Sequence, residues 1–186
     1  MEDLSYPLIK NNISRSDLNK LIEFLKKDNP MLTQSNYVKR FEKEWSNWLR
    51  VKYSVFVNSG ASANYITIAI IKQIYGDGEI IVPPLTWVSD IASVLQNGFI
   101  PIFADINLDN LCINDNEVLK KINSKTRAVF ITHAQGFNGL SKKLLDVLKE
   151  KNIPLIEDVC ESHGAKFKNK KLGSYGLISN FSFYYA

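Results

Sequence analysis

Cysteine is scarce in this sequence: Cys112 and Cys160 are the two among 186 residues, far apart and neither in a C-x-x-C pair. That spacing suggests neither a disulfide framework nor a thiolate zinc site, and it fits reduced thiols in a cytoplasmic protein. Long apolar runs are missing as well. None approaches the ~18 residues of a membrane helix, and the start, Met1-Glu2-Asp3-Leu4, is acidic and lacks a basic-then-apolar signal pattern. There is no block of like charge: the net +4 is scattered along the chain, which argues against nucleic acid as a partner. The glycine and lysine spacings of the dinucleotide fingerprint and the P-loop are absent too, which counts against a Rossmann-type nucleotide enzyme. No internal repeat or low-complexity linker is found. What remains, 45% hydrophobic and 23% charged residues, is the balance of a soluble globular protein with one sizeable core.

Two helices are expected first. Residues 14–28 can be capped by Ser14 or Ser16 and carry a stripe of Leu18, Leu21, Ile22 and Leu25. After Asn29-Pro30, residues 35–49 place Val38, Phe41, Trp45 and Leu49 on one face, a pattern that reads as core packing. From residue 53 the pattern changes to alternating strand and helix. Strands are expected at 53–57, 79–82, 100–104 and 128–132, and from Pro154 to Asp158. Helices are expected at 64–75, 87–97, 117–122 and 142–151. Strands spaced by helices of about ten residues indicate β-α units and a mainly parallel sheet, an α/β fold. Residues 1–50 read as an N-terminal helical arm and 51–186 as a partial large α/β domain.

Ligands of such sheets bind beyond the carboxyl ends of the strands. The residues found there are Ser59-Gly60-Ala61-Ser62, Pro84-Leu85-Thr86-Trp87, Asp105, His133, and Asp158 with Glu161. Gly60, Ala61 and Ser62 open a helix with small side chains, so exposed N–H groups and the helix dipole can receive a compact phosphate. A tight strand-helix turn with a serine cap fits the same residues. Trp87 can stack on a flat heteroaromatic ligand or lie in the core. Asp158 ends an apolar strand, where a carboxylate needs a positive partner. A lysine would serve, and so would a protonated pyridine nitrogen, which an aspartate keeps protonated as an electron sink. His163 fits a core histidine or a helix-end residue. The run Asn180-Phe181-Ser182-Phe183-Tyr184-Tyr185-Ala186 is aromatic and β-prone, and its abrupt stop reads as a fragment boundary.

Taken together, these segments resemble the nucleotide-sugar aminotransferases of the DegT/DnrJ/StrS group, which are fold-type I pyridoxal-phosphate enzymes. The resemblance runs from about Tyr6 to the last residue. It is carried by Leu32-Thr33-Gln34, Asn58-Ser59-Gly60-Ala61-Ser62-Ala63-Asn64, Ile81-Val82-Pro83-Pro84-Leu85-Thr86-Trp87, Pro101-Ile102-Phe103-Ala104-Asp105-Ile106, Glu157-Asp158-Val159-Cys160-Glu161-Ser162-His163-Gly164-Ala165 and Phe181-Ser182-Phe183-Tyr184. Each motif alone is modestly specific, but their order and spacing together are highly so.

The resemblance implies pyridoxal 5'-phosphate, or pyridoxamine 5'-phosphate, as cofactor. Gly60, Ala61 and Ser62 would cradle its phosphate, with Ser182 as a further donor. Trp87 would stack on the pyridine ring and Asp158 would pair with the ring nitrogen. Glu161 would lie near the ring hydroxyl and the reacting carbon, and His163 would support the site. The implied substrate is a nucleotide-linked 4-keto-6-deoxy or 3-keto sugar of lipopolysaccharide, O-antigen or other glycan synthesis. Glutamate is the implied amino donor, and the full-length enzyme would be a homodimer.

Two departures stand out. His133-Ala134-Gln135-Gly136-Phe137-Asn138-Gly139 replaces the family's His-Leu-Tyr-Gly-like loop, so the next helix can be anchored differently. The Schiff-base lysine is expected immediately after Ala186 and is not in the chain; Lys166, Lys168, Lys170 and Lys171 are poor substitutes. A lysine there would mean transamination. In the deoxysugar 3-dehydratase branch a histidine replaces it, and Asp158-Val159-Cys160-Glu161-Ser162 and Tyr184-Tyr185-Ala186 lean that way. Aminotransferase and dehydratase both stay open, beside a non-catalytic fragment.

Overall fold

The computed structural model describes residues 12–183; Met1–Leu4, Tyr6 and Tyr184-Tyr185-Ala186 lie outside them. Helix α1 (Arg15–Leu25) is capped by Ser14, which accepts from the Asp17 N–H while the Asp17 carboxylate accepts from the Ser14 N–H. It buries none of its residues. Helix α2 (Asn36–Leu49) buries Ser46 and Leu49. Its Trp45 ring lies 5.1 Å from Phe181, 5.1 Å from Phe183 and 5.7 Å from His163, so α2 docks on the rest of the chain through an aromatic cluster. His163 is thereby a packing residue with one edge exposed, and the crowding rings hold its pKa below the ordinary histidine value.

The strand expected at 53–57 does not form. Tyr53, Val55 and Phe56 are 75%, 80% and 43% exposed. A strand exists only through a neighbour's hydrogen bonds, and here the Phe56 N–H goes instead to the Glu42 carboxylate and the Ser46 hydroxyl to Ser54.

The α/β pattern that follows agrees with expectation to within a few residues. Its elements are α3 (Gly60–Tyr75), β1 (Glu79–Val82), α4 (Val88–Gln96), β2 (Ile100–Phe103), α5 (Asp115–Lys121), β3 (Thr126–Thr132), α6 (Lys142–Glu150), β4 (Leu155–Asp158), the short hairpin β5 (Lys166–Phe167) and β6 (Lys170–Lys171), and β7 (Ile178–Asn180). Helix α3 starts at Gly60, four residues before the expected Asn64, because Ser59 caps it by accepting from the Ser62 N–H. Strand β7 ends at Asn180, before the aromatic run expected to carry it: Phe181 and Phe183 leave the sheet to pack on Trp45.

The sheet is five-stranded, in the order β2-β1-β3-β4-β7, with every pair parallel. Strand alternation divides its apolar side chains between two cores. Ile80, Val82, Ala128, Phe130 and Ile156 face α3 and α4, where Ile68, Ile71 and Val94 meet them. Ile81, Val129, Ile131 and Leu155 face the other way, onto Val118 of α5 and Leu144 and Leu148 of α6. The chain steps outward from β1 to β2, then crosses back to β3 and continues to β4 and β7. The order reverses between β1 and β3, which is where open α/β sheets bind ligands.

Glu157 belongs to the α5/α6 side and is fully buried. Its carboxylate accepts from the N–H groups of Gly173 (2.8 Å), Tyr175 (2.8 Å) and Gly176 (2.6 Å) and lies 3.1 Å from His133 Nε2. The Gly139 N–H donates to His133 Nδ1 at 3.0 Å, so Nε2 carries the ring proton and donates to Glu157. Gly176 has to be glycine at this turn, because a Cβ there would lie 2.6 Å from the Leu155 carbonyl oxygen. Burial pushes the Glu157 pKa upward, but the His133 contact and the backbone N–H groups outweigh it, and the carboxyl stays below its ordinary 4.5.

Glu157→Leu would strand four donors and is expected to destabilise the fold by about 3–5 kcal/mol in urea unfolding; a loss under about 1 kcal/mol would contradict this account of the turn. Since the folded carboxyl titrates below 4.5, its contribution is complete above that pH and fades as pH falls through the lowered value. Glu157→Gln should lack that acid-side loss.

Candidate functional site

Thr132, Asp158 and Asn180 stand in register across β3, β4 and β7 at their carboxyl ends. Two residues beyond Phe130 and Ile156, they continue the face turned to α3 and α4. All three are buried. Opposite them, α3 supplies Asn64 and Thr67, and α4 supplies Asp90, each at a position in the buried stripe of its helix.

These side chains form one directed chain of hydrogen bonds. The Thr67 hydroxyl donates to Asn180 Oδ1 at 2.9 Å, Asn180 Nδ2 donates to Asn64 Oδ1 at 2.7 Å, and Asn64 Nδ2 donates to Asp90 Oδ1 at 2.5 Å. The second oxygen of Asp90 meets the Thr86 hydroxyl at 2.5 Å and the Thr132 hydroxyl at 3.3 Å, and the two threonines lie 2.5 Å apart. Thr86 thereby ties the loop after β1 to the end of β3, across the switch point. Trp87, the next residue and the N-cap of α4, is 60% exposed.

Asp158 is 3% exposed, and one of its oxygens accepts from the Cys160 N–H at 2.8 Å. No lysine or arginine forms an ion pair with it among the described residues. The salt-bridge reading of this aspartate therefore has no partner there. The lysines of the hairpin strand β6 are spent on carbonyl oxygens: Lys171 donates to Trp48 at 2.7 Å, and Lys170 to Ser174. Burial, with the charge of Asp158 second, pushes the Cys160 thiol far up, so it is an inert neighbour.

The amino end of α3 lies against the same edge. A Cβ added at Gly60 would lie 3.4 Å from the Ser182 Cβ, 3.6 Å from its Oγ and 3.9 Å from the Cys160 Sγ. Gly60, Ser182 and the residues after Asp158 therefore meet at one place, with Ala61 exposed and Ser62 half-buried beside them. Glu161 is exposed, and its carboxylate accepts from the Gln135 backbone N–H (2.9 Å) and side-chain amide (3.2 Å). Ser162 accepts from the Gly136 N–H and donates to the His133 carbonyl oxygen. The atypical loop is thus anchored by the strand-end segment that carries Asp158, and α6 is capped separately by Ser141.

Of the strand-end residues, His133 is locked into the Glu157 turn. Asp105 follows the edge strand β2 and accepts from the Ile106 N–H. Neither joins the cluster. Thr86 lies in a strand-end segment read from sequence, whereas the sequence assigns no role to Asn64, Asp90, Thr132 or Asn180. The readable signal was polar residues in otherwise apolar stripes, Asn64-Thr67-Ile68-Ile71 in α3 and Asp90-Ser93-Val94 in α4.

A profile of the DegT/DnrJ/EryC1/StrS aminotransferase family matches residues 11–186. The GDP-perosamine synthase of Vibrio cholerae is 35% identical over 152 residues, which cover 82% of this chain and 41% of that protein. The GDP-4-keto-6-deoxy-D-mannose 3-dehydratase of Yersinia pseudotuberculosis is 31% identical over 98% of this chain and 47% of its own length. A solved structure of the E. coli GDP-4-keto-6-deoxy-D-mannose-3-dehydratase with bound hydrated PLP superposes with a TM-score of 0.90 at 30% identity, covering 97% of this chain and 47% of that one. The chain spans less than half the length of these relatives.

Asn180→Leu removes the middle of the hydrogen-bond chain and takes away the acceptor of the Thr67 hydroxyl and the donor to Asn64 Oδ1. A stability loss of about 1–3 kcal/mol in chemical denaturation is the expected result, and an unchanged midpoint would show that the chain is not formed.

Proposed function

We infer what the protein does from one premise, that this chain belongs to the DegT/DnrJ/EryC1/StrS aminotransferase family. The function the geometry supports best is a pyridoxal-phosphate-dependent aminotransferase acting on a keto nucleotide-sugar, with glutamate as amino donor, in lipopolysaccharide, O-antigen or other glycan synthesis. One observation carries the reading: a buried carboxylate, Asp158, stands without a cationic partner among the described residues, with the α3 amino end beside Cys160 and the exposed Trp87 next in sequence to Thr86 of the same network. A phosphorylated pyridine ring has the matching chemistry, an anion for the helix end, a flat face for the indole and a cationic nitrogen for the acid.

The roles follow from the side chains. Gly60, Ala61 and Ser62 would offer α3 N–H groups and a hydroxyl to the phosphate, with Ser182 beside Gly60 as a further hydroxyl. Trp87 would cover one face of the ring and exclude water from it. Asp158 would hold the proton on the ring nitrogen, and its fixed negative charge costs no reorganisation during turnover. Glu161, steadied by Gln135, would accept a hydrogen bond near the ring hydroxyl. When bound, the cofactor supplies an electron sink that eases bond cleavage at the adjacent substrate carbon.

A second reading is 3-dehydration of the same sugar class with pyridoxamine phosphate. It is favoured by the extent of the alignments, 98% of the chain with the Yersinia dehydratase against 82% with the perosamine synthase. A cytoplasmic location is supported by two unpaired cysteines. Among the described residues no helix is long and apolar enough to cross a membrane. A homodimer is supported by apolar side chains left on the outer face of α3, where Ile66 and Ile74 are 45% and 60% exposed.

Full-length protein incubated with GDP-4-keto-6-deoxymannose, pyridoxal phosphate and glutamate should yield an amino sugar by mass spectrometry. A 3-deoxy product would select the second reading, and no product from any keto nucleotide-sugar would sink both. Asp158→Asn should lower turnover by at least about a hundredfold while the unfolding midpoint stays near that of the parent.

A further inference from the structure

Asp90 has no place in the reading above, yet it is more buried than Asp158, at 2% exposed. Its surroundings are those of an uncharged group. Asn64, Thr86 and Thr132 supply neutral donors, and no lysine or arginine ion-pairs with it among the described residues. The amide orientations from Thr67 through Asn180 and Asn64 make Asp90 Oδ1 an acceptor. Oδ2, the oxygen shared with the threonine hydroxyls, is the one left to carry a proton.

The other titratable groups facing this pocket are Asp158 on β4 and, beyond it, the Cys160 thiol. Two adjacent buried carboxyls without a cation cannot both ionise. Asp158 has the fixed Cys160 N–H to stabilise its charge, whereas Asp90 has only hydroxyls and an amide.

We propose, resting on the role of Asp158 given above, that Asp90 is a neutral carboxylic acid that hydrogen-bonds Asp158 and fixes its carboxylate in place as a positioning residue. The pair then offers a bound cation one negative charge in one orientation. Burial first, and the charge of Asp158 second, raise the Asp90 carboxyl from 3.8 to about 9, in keeping with this assignment. A folded value raised in this way gives stability that is complete below 3.8 and is lost as pH rises toward about 9.

Infrared spectra of the full-length protein without cofactor test the protonation state directly. The wild type should show a carboxylic-acid carbonyl band at neutral pH that disappears in Asp90→Asn and persists in Asp158→Asn. Asp90→Asn keeps a donor at the same place, so its Kd for pyridoxal phosphate should stay within about threefold of wild type. Asp90→Leu, which has none, should bind on the order of tenfold more weakly. Asp90→Asn should also lose the alkaline decline in unfolding midpoint between 3.8 and about 9. A band that survives Asp90→Asn, or Asn and Leu variants that bind the cofactor alike, would overturn the proposal. Should the Leu variant not fold, the infrared band and the pH profile of Asp90→Asn still decide it. Unaltered cofactor binding in Asp158→Asn would instead remove the reading of the site, a result separable from the infrared outcome at Asp90.

Discussion

Two neighbouring carboxylates, Glu157 and Asp158, are buried at the end of one inner strand, and most of the architecture around them can be read as an answer to that cost. A charge removed from water needs donors or a counter-ion of its own. Strand alternation sends the two to opposite faces of the sheet, so each is answered by different elements. Glu157 is answered within the chain: a glycine-bearing turn delivers backbone N–H groups to it and a histidine closes the ring. Asp158 receives one backbone N–H and a neighbouring acid, which leaves its charge available to something else.

That asymmetry separates an acid satisfied within the chain from one whose proposed partner is a bound cation. The Glu157 turn fixes the loop between β4 and β7, and so sets where β7 runs and where Ser182 arrives. The Asp158 side is polar through to α3 and α4, with amides and hydroxyls in helix positions that elsewhere hold isoleucine and valine. A packed apolar core would be the more stable choice there. In the proposed pairing of Asp90 with Asp158, holding one anion in one direction near the amino end of α3 is a reason to retain the polar one.

Much of this was legible in the residues themselves. Strand and helix alternation from residue 79 onward appeared within a few residues of its true bounds, because each strand carries a full apolar run and each helix a clear stripe. The 53–57 run misled, since β-branched and aromatic residues report strand preference but not the presence of a hydrogen-bonding neighbour. The aromatic end misled in the same way: Phe181 and Phe183 pack on Trp45 instead of extending β7. Trp87 and Asp158 could be named from their places at strand ends, and Ser59–Ser62 from the small residues that open α3, although no strand precedes them. Asp90 and Asn180 could not, because a lone acid or amide in a helix or strand has no sequence signature until the fold shows which way it points.

The central claim is that Asp158 meets a cationic pyridine nitrogen, and nitrogen NMR of full-length protein loaded with pyridoxal phosphate labelled with 15N in the ring tests it most directly. The account predicts the chemical shift of a protonated ring nitrogen in the wild type, moving to that of a neutral pyridine in Asp158→Asn. A neutral pyridine shift in the wild type, or a protonated one that survives the substitution, would contradict it.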